Sequence, residues 1–325
     1  APLRSGCLLR SRSCRPSGCL RQATQPAPAG MCSHFRFLLS IPLARAAALA
    51  LALLASPSLH AVTYYWDNND STVGFGTAGG TWAGTTTNNA TQGWSTAVDG
   101  NVTLSGTTTT TTSDALNFGT ASAGLAAGTI TVSGNVSSAG ITFGNASGNI
   151  TLSGGNITLN GDIGSSAASP GITHTITSNI TLNGAARGFG SISDQRFIFT
   201  GVIGGASDLT ADTGNGVGAI TLNGTNTFTG NFQVTRGQVN FNSLANSGQN
   251  SALGAGSRIT SGGGGGQTPY FWYTGASSSS SNRTWNLQGS TTTITAQNGS
   301  LLLSGNFKDS LCNVAMAWGY FFCFM

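Results

Sequence analysis

Glutamate is absent from this chain of 325 residues, and only 7% of its residues are charged, a balance unusual for a globular enzyme. Cysteine is missing between positions 33 and 311: Cys7, Cys14, Cys19 and Cys32 precede that span, and Cys312 and Cys323 follow it. The body therefore has no structural disulfide and no cysteine metal site, and a long solenoid held by stacked strands needs neither. Beyond Val62 there is one histidine, His174, and a Ser or Cys triad needs a base beside its nucleophile. Nothing in GITHTITSN looks like a strained nucleophile turn, and His174 alternates with Ile172 and Ile176 at strand spacing, which reads as a structural histidine. Positive charge is scarce where it would matter. The net charge of +4 comes from seven arginines in the first 45 positions, whereas Val62 onward holds five Arg and Lys308 against nine Asp, about three units negative. That sign argues against a nucleic-acid partner.

What the chain does have is 48 glycines and an excess of Thr, Ser and Asn around short β-branched runs. Four-residue cores recur at Asn101 (NVTL), Thr129 (TITV), Gly140 (GITF), Asn149, Asn156 and Asn179 (NITL) and Ala219 (AITL). In each, the branched residue and the final Leu, Val or Phe share one face and Thr takes the other, so one face is apolar and can stack inward. Ile220 is one such inward residue. NITLNG at 179–184 matches AITLNG at 219–224, and LNGDIG at 159–164 matches FTGVIG at 199–204, both 40 residues apart. A shared offset of that size marks a solenoid or a propeller. If a coil takes about 20 residues, residues 114–310 make eight to ten coils, a rod of roughly 40–50 Å with asparagines stacked in amide ladders.

Along the chain, residues 1–30 are Arg-, Pro- and Cys-rich without hydrophobic periodicity and read as disordered or foreign to the natural product. Met31–Ala61 has Arg36 and Arg45, an apolar run of ten at Ala46–Ala55, and a breaker with a small residue before the end, the pattern of a secretory signal peptide cut after Ala61. A transmembrane helix would need about 20 apolar residues and would have to bury Arg45. Residues 62–113 concentrate Tyr64, Tyr65, Trp66, Trp82 and Trp94, which suit a cap over the open end of a solenoid, or alternatively a sugar-stacking platform. GFGTAG, with Gly74, Gly76 and Gly79, formally fits the dinucleotide fingerprint, but no helical pattern follows it. Asp67, Asn68, Asn69 and Asp70 offer oxygen ligands without the rest of an EF-hand loop and read as a turn, leaving no metal and no cofactor assigned. The Asn-X-Thr triplets at Asn101, Asn149, Asn156 and Asn179 arise from the strand motif itself. After the glycine run 262–266, the residues Tyr270, Phe271, Trp272 and Tyr273 form the best candidate binding patch, expected on a loop or strand protruding from the rod. Residues 311–325 lose the repeat texture and are too short to span a bilayer.

Four stretches carry a resemblance: GVIGG (Gly201–Gly205), ITLNGTNTFTGNFQV (Ile220–Val234), RGQVNF (Arg236–Phe241) and ALGAG (Ala252–Gly256). Together, over residues 197–256, they resemble the autotransporter-associated β-strand repeat of bacterial secreted passenger domains. The resemblance implies an all-β, right-handed parallel β-helix, exported through the secretion machinery and displayed at the cell surface or outer membrane of a Gram-negative-type bacterium. It implies a structural or adhesive role without an active site; surface glycan, met through Tyr270–Tyr273, or self-association are the expected interactions. No translocator barrel follows the repeats, and SLLLSGNFKDS at 300–310 resembles FIFTGVIGGAS at 197–207, as if a second copy began before a truncation or frame change. Some β-helix proteins cleave polysaccharides with paired carboxylates, and here only Asp194, Asp208 and Asp212 lie close together in the repeats.

Overall fold

The computed structural model describes residues 60–166, 171–190, 195–214, 218–263, 268–288, 291–309, 313–317 and 321–323, all within the compact unit Ser58–Met325. The expected signal peptide lies outside the described residues but for His60 and Ala61, and Asp194 lies outside them as well. The described residues contain strands and turns and no helix. None of them forms a helix long and apolar enough to cross a membrane.

The chain winds as a parallel β-solenoid with three faces. A representative coil runs through Gly140–Phe143 on the first face, Ile150–Ser153 on the second and Asn156–Leu159 on the third. Each strand pairs in parallel with its equivalents one coil below and one coil above: Gly140–Phe143 with Ala115–Phe118 and Ile163–Ser165, Ile150–Ser153 with Gly128–Ser133 and Thr173–Ile176. On the third face, Asn156–Leu159 lies between Asn135–Ser138 and Asn179–Leu182. The first-face ladder runs unbroken from Thr63–Asp67 to Phe307–Asp309.

Period-two alternation sends every second side chain inward. Leu116, Phe118, Ile141 and Phe143 on the first face, Ile130, Ile150 and Leu152 on the second, and Val136, Ile157 and Leu159 on the third are all buried in one core. The inward residues stack coil on coil, as in the ring pair Phe118 and Phe143, 5.3 Å apart and near parallel. Burial of each such side chain contributes about 1.5–3 kcal/mol.

The corners are clamped by asparagine and aspartate. Asn149, Asp162, Asn179 and Asp208 each accept, through Oδ1, a backbone N–H of the next coil, from Thr173, Gly188, Val202 and Asn231 at 2.6–2.9 Å. The amide ladders expected from sequence are thus replaced at these positions by side chain to backbone bonds, because a corner N–H facing the next coil lacks a strand partner. This also accounts for Asn149 and Asn179 within their Asn-X-Thr triplets. Gly237 makes a different corner. Its φ of +73° turns the continuous strand Phe232–Phe241 from the first face to the second, and a Cβ there would lie 1.7 Å from Thr213 Oγ1.

The 40-residue offset needs correction. Beyond the cap, first-face register advances by between 22 (Ile141 to Ile163) and 27 (Phe232 to Ile259) residues per coil, and second-face register by between 19 (Ile220 to Val239) and 32 (Val239 to Phe271), so a coil is on average longer than 20. NITL at 179 lies on the third face and AITL at 219 on the second, five faces further on. With about eight residues per face, the repeated element is a single face with its corner, and 40 residues is one coil and two thirds. Likewise Leu301–Leu303 pairs on the third face, whereas Arg196–Phe199 pairs on the second, so their likeness is that of two corners. The ladders also continue past residue 310: Asn313–Ala317 pairs with Thr291–Thr295, and Phe321–Cys323 with Leu301–Leu303.

At the amino-terminal end, the aromatic residues form a cap. Thr63–Asp67 pairs in parallel with Ala115–Phe118 on one edge and antiparallel with Gly93–Ser95 on the other, which covers the first-face edge. Trp66, Trp82 and Trp94 are buried edge to face, with ring centroids 4.9 and 5.5 Å apart, and Trp94 lies 5.9 Å from Phe118 of the first full coil. Buried indoles present no face to a sugar, so these three belong to the cap.

Candidate functional site

The strand Pro269–Tyr273 sits within the second face, between Phe232–Phe241 and Thr291–Ala296, and does not protrude from the rod. Its alternation divides the four aromatic residues expected to bind. Phe271 and Tyr273 are 1% exposed and point into the core, so neither can meet a ligand; Tyr270 and Trp272 point outward, 44% and 36% exposed. Phe271 packs edge to face on Trp285, and the Tyr273 hydroxyl bonds with the Ser279 hydroxyl at 2.9 Å. The sequence pattern YFWY conceals this division because all four residues are aromatic.

Stacking then decides the neighbours of the outward pair. Gln238 and Thr293 flank Tyr270, and Asn240 and Thr295 flank Trp272, on adjacent coils about 4.8 Å away. Gln238 Nε2 donates to Asn240 Oδ1 at 2.7 Å, and Asn240 Nδ2 donates to Thr221 Oγ1 at 3.1 Å, so the amides are held in place. The result is an uncharged surface, with two aromatic side chains about 7 Å apart along a strand and amides and hydroxyls on either side. Gln238, Asn240, Thr293 and Thr295 were not expected from sequence. They lie 32 and 23 residues from Tyr270 and Trp272, and only inter-coil register brings them together. The alternation within RGQVNF and TTTIT was the available signal.

The carboxylates proposed for catalysis are otherwise engaged. Asp208 Oδ1 accepts the Asn231 N–H at 2.6 Å. Asp212 Oδ1 accepts Arg236 Nε–H at 2.7 Å and the Gly214 N–H at 2.9 Å. Desolvation alone would raise the Asp212 carboxyl, but the hydrogen bonds and charge of Arg236 outweigh it and hold the carboxyl below the usual carboxylate range. Among the described residues, no three His, Cys, Asp or Glu side chains come together as a metal cluster.

His174 is fully buried on the second face, its ring stacked 4.1 Å from Phe143 and tilted against Phe197 at 5.4 Å. Its Nδ1 accepts the Ile150 N–H at 3.3 Å. Burial pushes the imidazole down to about 4 from the usual 6.5, with the Gln195 side chain pulling the other way. The folded protein therefore holds His174 neutral, and the unfolded chain takes up the proton first as pH falls. Stability carried by the neutral ring is complete above pH 6.5 and is lost progressively down to about pH 4. The loss amounts to roughly 3 kcal/mol. Comparing urea midpoints of the wild type and His174→Phe between pH 7 and 4 isolates this component from the carboxylates. The variant should lose less stability over that range, and parallel curves would show that His174 is not the titrating group.

No protein-family profile, curated protein or solved structure matches this chain.

Proposed function

We propose that this chain is a passenger-type β-solenoid, secreted or held at the cell surface, that acts as a structural or adhesive rod without an active site of its own and binds neutral surface glycan through Tyr270 and Trp272. The observation that carries this reading is the outward aromatic pair on a rigid, uncharged face. Aromatic faces pack against the C–H faces of pyranose rings, and the ordered amides and hydroxyls beside them supply hydrogen bonds. The absence of formal charge at Gln238, Asn240, Tyr270, Trp272, Thr293 and Thr295 favours neutral over acidic sugars. The signal-peptide pattern of Met31–Ala61 and the resemblance over 197–256 support placement outside the inner membrane of a Gram-negative-type bacterium. The structural bonds of Asp208 and Asp212 and the sealed position of His174 favour a rod over a polysaccharide-cleaving enzyme.

A glycan array tests it. The wild type should retain neutral glycans, and the double variant Tyr270→Ala, Trp272→Ala should bind at least about tenfold more weakly at an unchanged unfolding midpoint. Equal binding by both proteins, or release of soluble sugar from the array, would overturn the reading.

A further inference from the structure

The turn that follows the first strand carries buried oxygen atoms that no hydrogen of the protein meets. Asp67 closes Thr63–Asp67 and is fully buried. Its carboxylate is directed into the turn: Oδ1 accepts the Asn69 N–H at 2.9 Å, and the negative charge of Asp70 acts on it. Its Oδ2 is buried and has no donor, and the Oδ1 atoms of Asn68 and Asn69 are also buried without one. The Asn68 amide cannot be turned over to cure this, because its Nδ2 donates to the Thr91 carbonyl at 2.6 Å, a bond the oxygen could not make. Asp70 completes the set. It is the one described non-glycine residue in the left-handed region, at a φ of +53°, and one of its carboxylate oxygens accepts the Leu104 N–H.

Asp67 Oδ2, on a fully buried carboxylate, and Asn68 Oδ1, whose amide is anchored by its Thr91 bond, are unmet acceptors costly for a folded protein to keep, and the Asn69 amide lies beside them. Oxygen atoms left without a hydrogen-bond donor are natural ligands for a cation. The donors are two carboxylates and two amide oxygens, a hard all-oxygen set without nitrogen or sulfur. Ca²⁺ accepts six to eight such ligands in irregular geometry and fills the remainder with carbonyls and water, whereas Mg²⁺ demands a near-ideal octahedron. We propose that Asp67, Asn68, Asn69 and Asp70 form a Ca²⁺ site, with Asp67 Oδ2 and the two amide oxygens as its inner ligands and Asp70 supplying the second negative charge. The ion would fasten the cap to the rod. Thr63–Asp67 is paired with both Gly93–Ser95 and Ala115–Phe118, and Asp70 already holds the Leu104 segment.

Terbium and calcium binding to the full chain tests this, since Tyr65 and Trp66 immediately precede the site and can sensitise Tb³⁺ emission. Excitation of the protein should give Tb³⁺ luminescence that millimolar Ca²⁺ displaces and equal Mg²⁺ does not. With two carboxylates the affinity should fall in the weak class of roughly 10⁻⁴–10⁻³ M. The thermal midpoint should rise by about 3–6 °C in ~10 mM Ca²⁺ over a chelator. Asp67→Asn should weaken Ca²⁺ at least about tenfold, and Asn69→Ala, at a half-buried position, provides the same test should Asp67→Asn not fold. Absence of sensitised emission, emission retained in both variants, or identical midpoints in Ca²⁺ and chelator would overturn the proposal.

Discussion

Ile220→Asp is expected to destabilise the protein by more than about 4 kcal/mol, enough to remove much of the strand signal in circular dichroism at room temperature. Ile220 is fully buried on the second face, stacked in register between Phe197 and Val239. The substitution removes a branched side chain, worth about 1.5–3 kcal/mol, and sets a carboxylate where no cation can reach it. The defect should spread to both neighbouring coils, because each coil of a solenoid draws its core and its backbone partners from the next. Ile220→Val is the control, with an expected cost of about 0.5–1.5 kcal/mol and an unchanged spectrum. If Ile220→Asp retains the wild-type spectrum and urea midpoint, Ile220 does not face inward.

The second large effect is expected at Arg283. The third-face ladder, interrupted after Ile203–Gly205, resumes at Ser279–Ser281, and between them residues 227–229, which bond to Ile203 and Gly205, and the segment containing ALGAG, which bonds to Phe228, fill the gap without a strand. Arg283, 1% exposed, holds that segment in place: Nη1 donates to the Leu253 carbonyl at 2.8 Å, and Nη2 to the Gln249 carbonyl at 3.1 Å, to Ser251 Oγ at 3.2 Å and to the Gly254 carbonyl. These acceptors bring partial charge only, so burial pushes the guanidinium down to about 10, where it is still protonated at neutral pH. Arg283→Met fills similar space but leaves the carbonyls unmet, and a loss of about 3–5 kcal/mol is expected in guanidinium denaturation. Limited proteolysis should then cut within residues 243–257. Arg283→Lys should recover only part of the loss, since an ammonium cannot fork across separate carbonyls as a guanidinium does. An unchanged midpoint in Arg283→Met would show that the segment is held by its own turns.

Much of this architecture could be read from the residues. Alternation in NITL, AITL and FQVTRGQVNF names the inward positions, and the buried Ile157, Ile180, Ile220 and Val239 agree with it. The aromatic cap was legible too, since three tryptophans gathered near the start of a repetitive body have few other places to be buried. His174 was legible as a core residue from its spacing to Ile176. The aromatic patch was legible only in part. Its position was correct, but Phe271 and Tyr273 turn inward, and its polar partners come from other coils. The unmet oxygens of the Asp67–Asp70 turn were not legible, because the pattern Asp-Asn-Asn-Asp fits an ordinary turn equally well until the backbone shows which N–H groups it reaches.

By itself the sequence determined the strand faces, the apolar core, the need for a cap and the solenoid class, because period-two alternation and turn chemistry are local properties of consecutive residues. Only the tertiary structure decided the register. On the second face alone, coils vary from 19 residues (Ile220 to Val239) to 32 (Val239 to Phe271) as corners lengthen or shorten, and the chemistry of a corner does not state how many residues will stand between two stacked side chains. Which residues meet across coils, Gln238 and Asn240 beneath Tyr270 and Trp272 or the ALGAG carbonyls around Arg283, follows from that register, and with it the surfaces on which function is proposed.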